Sequence, residues 1–336
     1  MLSTPAVSPP REGPEDVWAP VPPGDPAHAA VFDFLSHALK VDARANFPGS
    51  MPVSLTMDAM WEHILRQRNG YWVTWKADGF RCFVCAIPDL GVFLINRTNE
   101  IARVVGAVCG ARRTVLDAEL VTTKDGSGQV CYVFDGIYGR GKSLRELNLP
   151  LRLGAAKDAM VEIVGLPFPL VLKDYAHLSH IEKLVVPPEM SSDGLVFAPT
   201  NRLYRPFTDC YTLKWKPPAQ NTVDFRVNVV ALPPDDEGNP GPRKWSVKFL
   251  SASNQVHQQL YVVGNARPAE DGQIYETRWT PARQLWCILK RRPDKTKANA
   301  NPTIRAAMTA IDENVTYDRL VDIVMGRTEE GRKDLF

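Results

Sequence analysis

Trp75-Lys76-Ala77-Asp78-Gly79-Phe80-Arg81 sets a lysine at the end of one β-rich run, a tight Asp-Gly turn after it, and an arginine at the start of the next run. Taken alone, Lys-x-Asp-Gly is short enough to arise by chance, and a plain hairpin turn with a surface lysine reads it equally well. The flanks decide for strands. Runs rich in β-branched and aromatic residues occupy Tyr71–Trp75, Arg81–Ile87, Val92–Asn96, Thr114–Val121 and Val130–Asp135. Pro88-Asp-Leu-Gly91 and Asp125-Gly-Ser-Gly128 separate them, a spacing that predicts antiparallel meanders.

Upstream, Val31–Leu39 and Met57–Arg66 carry the periodicity of amphipathic helices. Residues 1–27 hold eight prolines and few large apolar residues, and predict a flexible tail. Downstream, a second β-rich stretch runs from Val223 to about Lys290, with a polar loop at Pro233 to Arg243. Its strands include Phe225–Ala231, Trp245–Leu250, Gln259–Val263 and Leu285–Lys290, enough for a small barrel. Thr303 to Met325 reads as helical.

The 336 residues suffice for two domains with separate cores. A 44% hydrophobic and 23% charged composition is that of a globular chain. There is no apolar run of about 18 residues, so no membrane helix is expected. The N-terminus shows no signal-peptide core. Forty basic against 38 acidic residues leave a net charge of +2, so a nucleic-acid surface would have to be a local patch. Six cysteines without disulfide-like spacing suit a reducing compartment. Cys82 and Cys85 lie three apart on one strand and so face opposite sides, which disfavours a metal pair. His177 and His180 could share a helix face, but a structural role is the simpler reading.

Beyond Lys76 the chain orders several further signatures. Leu116-Asp-Ala-Glu-Leu120 puts Glu119 in a strand, and Tyr132-Val-Phe-Asp135 follows. Ser192-Asp-Gly-Leu-Val-Phe197 and Leu213-Lys-Trp-Lys-Pro217 come next, then Arg292-Pro-Asp-Lys295 with Asn299. In this order they resemble the covalent nucleotidyltransferases, the superfamily of capping enzymes and polynucleotide ligases, over residues 71–301. Lys214-Trp-Lys216-Pro followed by Thr222-Val-Asp-Phe225, Gly272-Gln-Ile-Tyr-Glu276 before Trp286, and the Arg-x-Asp-Lys ending resemble the capping branch.

The resemblance implies an α+β protein. A nucleotidyltransferase domain of antiparallel sheets with helices (28–221) would be followed by an OB-fold β-barrel lid (222–302) and a C-terminal helical segment (303–336). It implies an mRNA guanylyltransferase, in which Lys76 takes GMP from GTP as a phosphoramidate and passes it to 5′-diphosphate RNA. A lysine amine can hold a phosphate covalently and give it up again. It is protonated at neutral pH unless nearby cations push its pKa down, and Lys214 and Lys216 are expected to do this and to hold the α-phosphate.

By the same resemblance Arg81 would contact phosphate or support the Lys76 loop, and Arg97 and Glu119 would bind the ribose hydroxyls. Phe134 would stack on the base, and Lys173 would donate to guanine O6. Asp193 would hold a divalent metal, Mg²⁺ or Mn²⁺. Arg292, Asp294 and Lys295 would reach the β- and γ-phosphates when the lid closes. Implied partners are GTP, 5′-diphosphate RNA, a separate RNA triphosphatase and cap methyltransferase, and the RNA polymerase II C-terminal tail, with no membrane. The implied location is the nucleus, or a viral replication site for a viral chain. An ATP-dependent ligase and a degenerate RNA-binding family member are the alternatives.

A rival motif, Gly136-Ile-Tyr-Gly-Arg-Gly141-Lys142-Ser143, fits the phosphate-loop pattern G-x-x-x-x-G-K-[ST]. Against it, Pro150 falls early in the helix that would follow, and no strand ending in a metal-binding aspartate is evident downstream.

Overall fold

The structure is a computed structural model and describes residues 17–233 and 242–329. Residues 1–16 of the expected tail and 234–241 of the polar loop lie outside it. The chain divides into two compact units, one formed by Pro217–Val315 and the other by residues 17–216 with 316–329.

In the larger unit the main elements are α1 (Pro26–Leu39), β1 (Tyr71–Ala77), β2 (Phe80–Ile87), β3 (Thr114–Thr122), β4 (Gln129–Gly139), α2 (Leu149–Met160), β5 (Ser192–Pro199) and β6 (Thr208–Trp215). They form two sheets. An eight-stranded sheet runs Trp18–Pro20, Ile101–Val104, Gly91–Asn96, β2, β3, β4 and Lys142–Ser143, with Leu170–Leu172 parallel to β4. A five-stranded sheet runs Ala176–His177, β1, β5, β6 and Met51–Ser54.

The large sheet is covered on both faces, which is why β2 is apolar almost throughout. Phe83, Cys85 and Ile87 pack with α1 on one side, and Cys82, Val84 and Ala86 pack with Ala156 of α2 on the other. Cys82 and Cys85 thus face opposite ways. Asp25 caps α1 by accepting from the Ala27 amide, and Lys40, at φ 54°, ends it.

The Lys76 turn is not a hairpin. β1 pairs with β5 and Ala176–His177, while β2 pairs with Gly91–Asn96 and β3. Asp78-Gly79 therefore carries the chain from one sheet to the other. A Cβ on Gly79 would lie 2.5 Å from the Leu120 carbonyl oxygen, so only glycine fits this crossing.

Several expectations are corrected here. Residues 17–27 belong to the fold: Trp18–Pro20 pairs with Ile101–Val104, and Val21 and Ala27 are buried. The prolines misled, since Pro20 sits on a sheet edge and Pro26 opens α1, both tolerant positions. Met57–Arg66 is not one regular helix but a short α turn, a wider turn at Met60–Ile64 and a tight one broken at Gln67. The phosphate-loop match is a strand end. Gly136–Gly139 completes β4, Arg140 and Gly141 form a positive-φ two-residue turn, and Lys142 is exposed on the return strand. Pro150 opens α2 rather than opposing it.

The smaller unit is an OB-fold barrel. Its strands are β7 (Thr222–Ala231), β8 (Lys244–Leu250), β9 (Val256–Val263), β10 (Gln273–Thr280) and β11 (Leu285–Arg291), hydrogen-bonded in the order β9-β8-β7-β10-β11. The free edges of β9 and β11 are joined by a side chain: the Gln258 amide donates to the Trp286 carbonyl and accepts from its N–H. Phe225, Phe249 and Trp286 fill the interior. The sequence reading missed β10 as a strand because its alternation is weak, with Arg278 and Glu276 set among the apolar residues.

The C-terminal helical segment consists of two helices. α3 (Asn301–Glu313) puts Ile304 and Ala307 into the barrel core. Asn314, at φ 48°, breaks it, and α4 (Tyr317–Val324) belongs to the larger unit. There Arg68 donates to the Val324 carbonyl and Arg327 pairs with Glu182. Among the described residues, no helix is long and apolar enough to cross a membrane.

Candidate active site

A cleft of about 900 Å³, partly open to solvent, lies in the larger unit and is lined by Lys76, Arg81, Arg97, Glu119, Phe134 and Lys173. Two strand irregularities shape it, as bulges often do beside functional groups. On β5 the pairing with β1 slips between Ser192 and Leu195, leaving Asp193 and Gly194 opposite Lys76. On β4 the pairing with β3 passes from Ala118–Val133 to Asp117–Asp135, so Phe134 is an extra residue in the ladder.

The first irregularity builds the charged centre. Lys76 Nζ donates to Asp193 Oδ1 at 2.8 Å, and Lys216 Nζ lies 2.5 Å from Oδ2. Burial raises the Asp193 carboxyl, but the two ammonium groups outweigh this and hold it below the usual carboxylate range. Gly194 has φ +151°, and a Cβ there would lie 2.0 Å from the Trp215 carbonyl oxygen. β5 and β6 therefore touch backbone to backbone where Asp193 meets Lys216. Lys214, on β6, and Lys216, just past its end, are two apart in sequence and flank buried Trp215. Lys214 pairs in register with Val196.

The second irregularity builds the pocket wall. Arg81 is 6% exposed and forks onto Asp117 through Nε at 3.0 Å and Nη2 at 2.7 Å. The Tyr204 hydroxyl donates to the same carboxylate at 2.6 Å. Arg81 lies between rings, 5.1 Å from the Phe134 centroid and 5.6 Å from that of Phe47. Its donors on that side are thus committed to Asp117, and its flat face backs Phe134. Arg152 pins Asp135 in the same bidentate way.

Glu119 is half-buried and accepts from the Gly79 amide at 3.2 Å, tying the crossing turn to β3. Arg97 is exposed at the cleft margin. Lys173 is buried, with Nζ 4.0 Å from the Trp75 ring centroid. Burial pushes its pKa down to about 7, against the pull of nearby Glu119 and with the push of Lys76.

In the smaller unit, Arg292 forks onto Asp294 at 2.9 and 2.7 Å and reaches Asp224 at 3.2 Å and Glu276 at 3.7 Å. Lys295 also pairs with Asp224. Asn299 accepts from the Asp224 amide and donates its own amide to the Asp224 carbonyl. The motif residues Asp224, Glu276 and Asn299 therefore hold the Arg-x-Asp-Lys turn in place.

Sequence reasoning missed Asp117, Asp135, Arg152 and Tyr204. Asp117 had a signal, since it stands two before Glu119 and shares its face. Tyr204 lies in an irregular loop and had none.

Residues 27–218 match the family model for the mRNA capping enzyme catalytic domain, and residues 220–321 match that for its C-terminal domain. The chain belongs to the mRNA capping enzyme family. It is 26% identical to an mRNA-capping enzyme of Danio rerio, over 84% of this chain and 50% of that one. It is 27% identical to that of Mus musculus, over 83% and 50%. With the mRNA-capping enzyme subunit alpha of Yarrowia lipolytica it shares 25% identity over 85% and 86%. This capping-family chain thus spans about half the length of the two animal relatives and most of the fungal one.

Proposed function

We propose that this chain is an mRNA guanylyltransferase acting through a covalent lysyl-GMP. The observation that carries the reading is Lys76 and Lys216 sharing the Asp193 carboxylate beside an aromatic-walled cleft. In the first step the Lys76 nitrogen bonds to the α-phosphorus of GTP and the α–β bridging P–O bond breaks. Pyrophosphate leaves with the electron pair, and the amine loses a proton. In the second step a β-phosphate oxygen of 5′-diphosphate RNA attacks the same phosphorus. The P–N bond then breaks and Lys76 regains its proton.

Lys214 and Lys216 stabilise charge on the α-phosphate. Phe134, stiffened from behind by Arg81, stacks on the base. Lys173 offers a donor to guanine O6, where adenine presents an amino group. Arg97 and Glu119 take the ribose, and Arg292, Asp294 and Lys295 serve the departing pyrophosphate.

Among the described residues no three His, Cys, Asp or Glu side chains gather as a metal cage. A single carboxylate suits a Mg²⁺ or Mn²⁺ ion that arrives on a triphosphate, and Asp193 would be its protein ligand. Such an ion neutralises phosphate charge.

Incubation with α-labelled GTP or ATP, metal and no RNA, followed by denaturing electrophoresis, tests the reading. Label should stay on the protein from GTP, survive alkali and be lost in acid. Equal labelling by ATP would favour a ligase.

A further inference from the structure

We propose that Tyr175 is a positioning residue for base recognition: its hydroxyl fixes the bulged Phe134 relative to Lys173 and thereby sets how tightly the base is held. The proposal deepens the reading of Phe134 and Lys173 as the pair that meets guanine, and rests on it.

The starting point is a carbonyl with no place in the sheet. In a regular ladder each strand residue finds its backbone partner on a neighbour, but the extra residue of a bulge does not. Val133 and Asp135 pair with successive residues of β3, Ala118 and Asp117, and Phe134 between them has no partner there. On the other side of β4, Leu170–Leu172 pairs as far as Val133. The Lys173 amide donates to the Val133 carbonyl at 2.7 Å and ends that ladder. The Phe134 carbonyl is next in line, and Tyr175 Oη donates to it at 3.0 Å. A side chain thus supplies what the ladder no longer can.

The neighbours of Tyr175 extend the hold. The Asp174 carbonyl accepts from Thr74 Oγ1 at 2.7 Å, and Ala176 and His177 pair with Val73 and Trp72 of β1. Residues 173–177 therefore bridge the two sheets, gripping β4 at Val133 and Phe134 and β1 just before Lys76. Lys173 opens this segment and Tyr175 seats Phe134 from it. The contact to the edge of the base and the contact to its face so depend on the same few residues.

The hydroxyl is well aimed. The Tyr175 ring packs against the apolar cluster of Leu149, Leu153 and Ala198, and its centroid lies 6.3 Å from that of Trp72. Phenylalanine could fill the same space without the donor. Phe134 is only partly buried in the cleft, whereas Val133 and Asp135 on either side are buried. Arg81 supports the Phe134 ring from behind, but the bond from Tyr175 is the one that holds its backbone.

The test is a double-mutant cycle on GDP affinity, measured by calorimetry on the full chain as wild type, Tyr175→Phe, Phe134→Ala and the double variant. Tyr175→Phe should weaken GDP binding about tenfold, the worth of one hydrogen bond. In the Phe134→Ala background the same change should cost less than about twofold, since the ring it positions is gone. Inorganic tripolyphosphate has no base and should bind the wild type and Tyr175→Phe within about twofold of each other. In labelling by GTP, Tyr175→Phe should raise KM about tenfold and keep the maximal rate within about twofold, as for binding shared by ground and transition states. A wild type that shows the GDP coupling but takes no label from GTP would support the positioning role and count only against the catalytic reading. Wild-type GDP affinity in Tyr175→Phe, in a chain that does take label, would overturn the proposal alone. Additive losses in the double variant would overturn it too. So would an equal loss of tripolyphosphate binding, which a general disturbance of the cleft would cause.

Discussion

Lys76 donates to Asp193 at 2.8 Å, and the same carboxylate holds Lys216 at 2.5 Å. As an ammonium Lys76 has no lone pair, so in the proposed reaction it must lose a proton before it can attack phosphorus. Lys76→Arg should abolish covalent labelling, because guanidinium is in effect always protonated. Lys142→Ala should leave labelling intact, since Lys142 is exposed on a hairpin return. Labelling that survives Lys76→Arg and dies with Lys142→Ala would reverse the assignment.

Gly194 is the residue that lets this centre form. Gly194→Ala puts a Cβ 2.0 Å from the Trp215 carbonyl at a φ that L residues rarely adopt. The cost should be about 2–4 kcal/mol, lowering the melting temperature by about 5–10 °C. Gly126→Ala is the control: φ is +74° and nothing lies within 4 Å, so about 1 kcal/mol is expected. Calorimetry on both variants separates the two, and equal losses would show that the β5–β6 contact is unimportant.

How much of this was legible beforehand differs by residue. Strands such as β2 and β3 announced themselves because their side chains are apolar and β-branched on a doubly covered sheet. Lys76, Asp193 and Lys216 stood inside motifs, and the fold brings them together. The bulges were not legible, because a one-residue slip leaves no mark in composition. For that reason the reading assigned Phe134 a role but could not see Arg81 beneath it, turned away to Asp117. Tyr204 sits 87 positions from Asp117, and only the fold makes them neighbours. The proline-rich start misled because a proline marks a sheet edge or a helix start as readily as a tail.

In the smaller unit, Arg292 is held by Asp294, Asp224 and Glu276 at once. Arg292→Ala should slow formation of enzyme–GMP at least about a hundredfold, as expected for loss of one transition-state donor. Transfer of GMP from a preformed adduct to RNA should change less than about threefold, because pyrophosphate is absent from that step. Quench-flow measurement of the two half-reactions checks this. Equal slowing of both would assign Arg292 to the fold rather than to pyrophosphate. A melting curve on the same variant guards against that confusion, since Asp224 is buried and would keep only Lys295.

Lys173 supplies the pH dependence. Burial beside Trp75 pushes its pKa down to about 7, so its charge is lost as pH rises above neutrality. A nucleotide that presents guanine O6 to Lys173 favours the protonated form, so binding takes up a proton above pH 7. By linkage, affinity must then fall as pH rises, by up to about tenfold per pH unit. GDP is the right probe: it lacks the leaving pyrophosphate, and its own phosphate is ionised above about pH 6. Its Kd, measured by calorimetry from pH 7 to 9, should rise in the wild type and stay nearly flat in Lys173→Gln. ADP should show little slope in either protein, since adenine offers Lys173 no acceptor at that position. Parallel slopes for GDP in the wild type and Lys173→Gln would show that Lys173 does not meet the base.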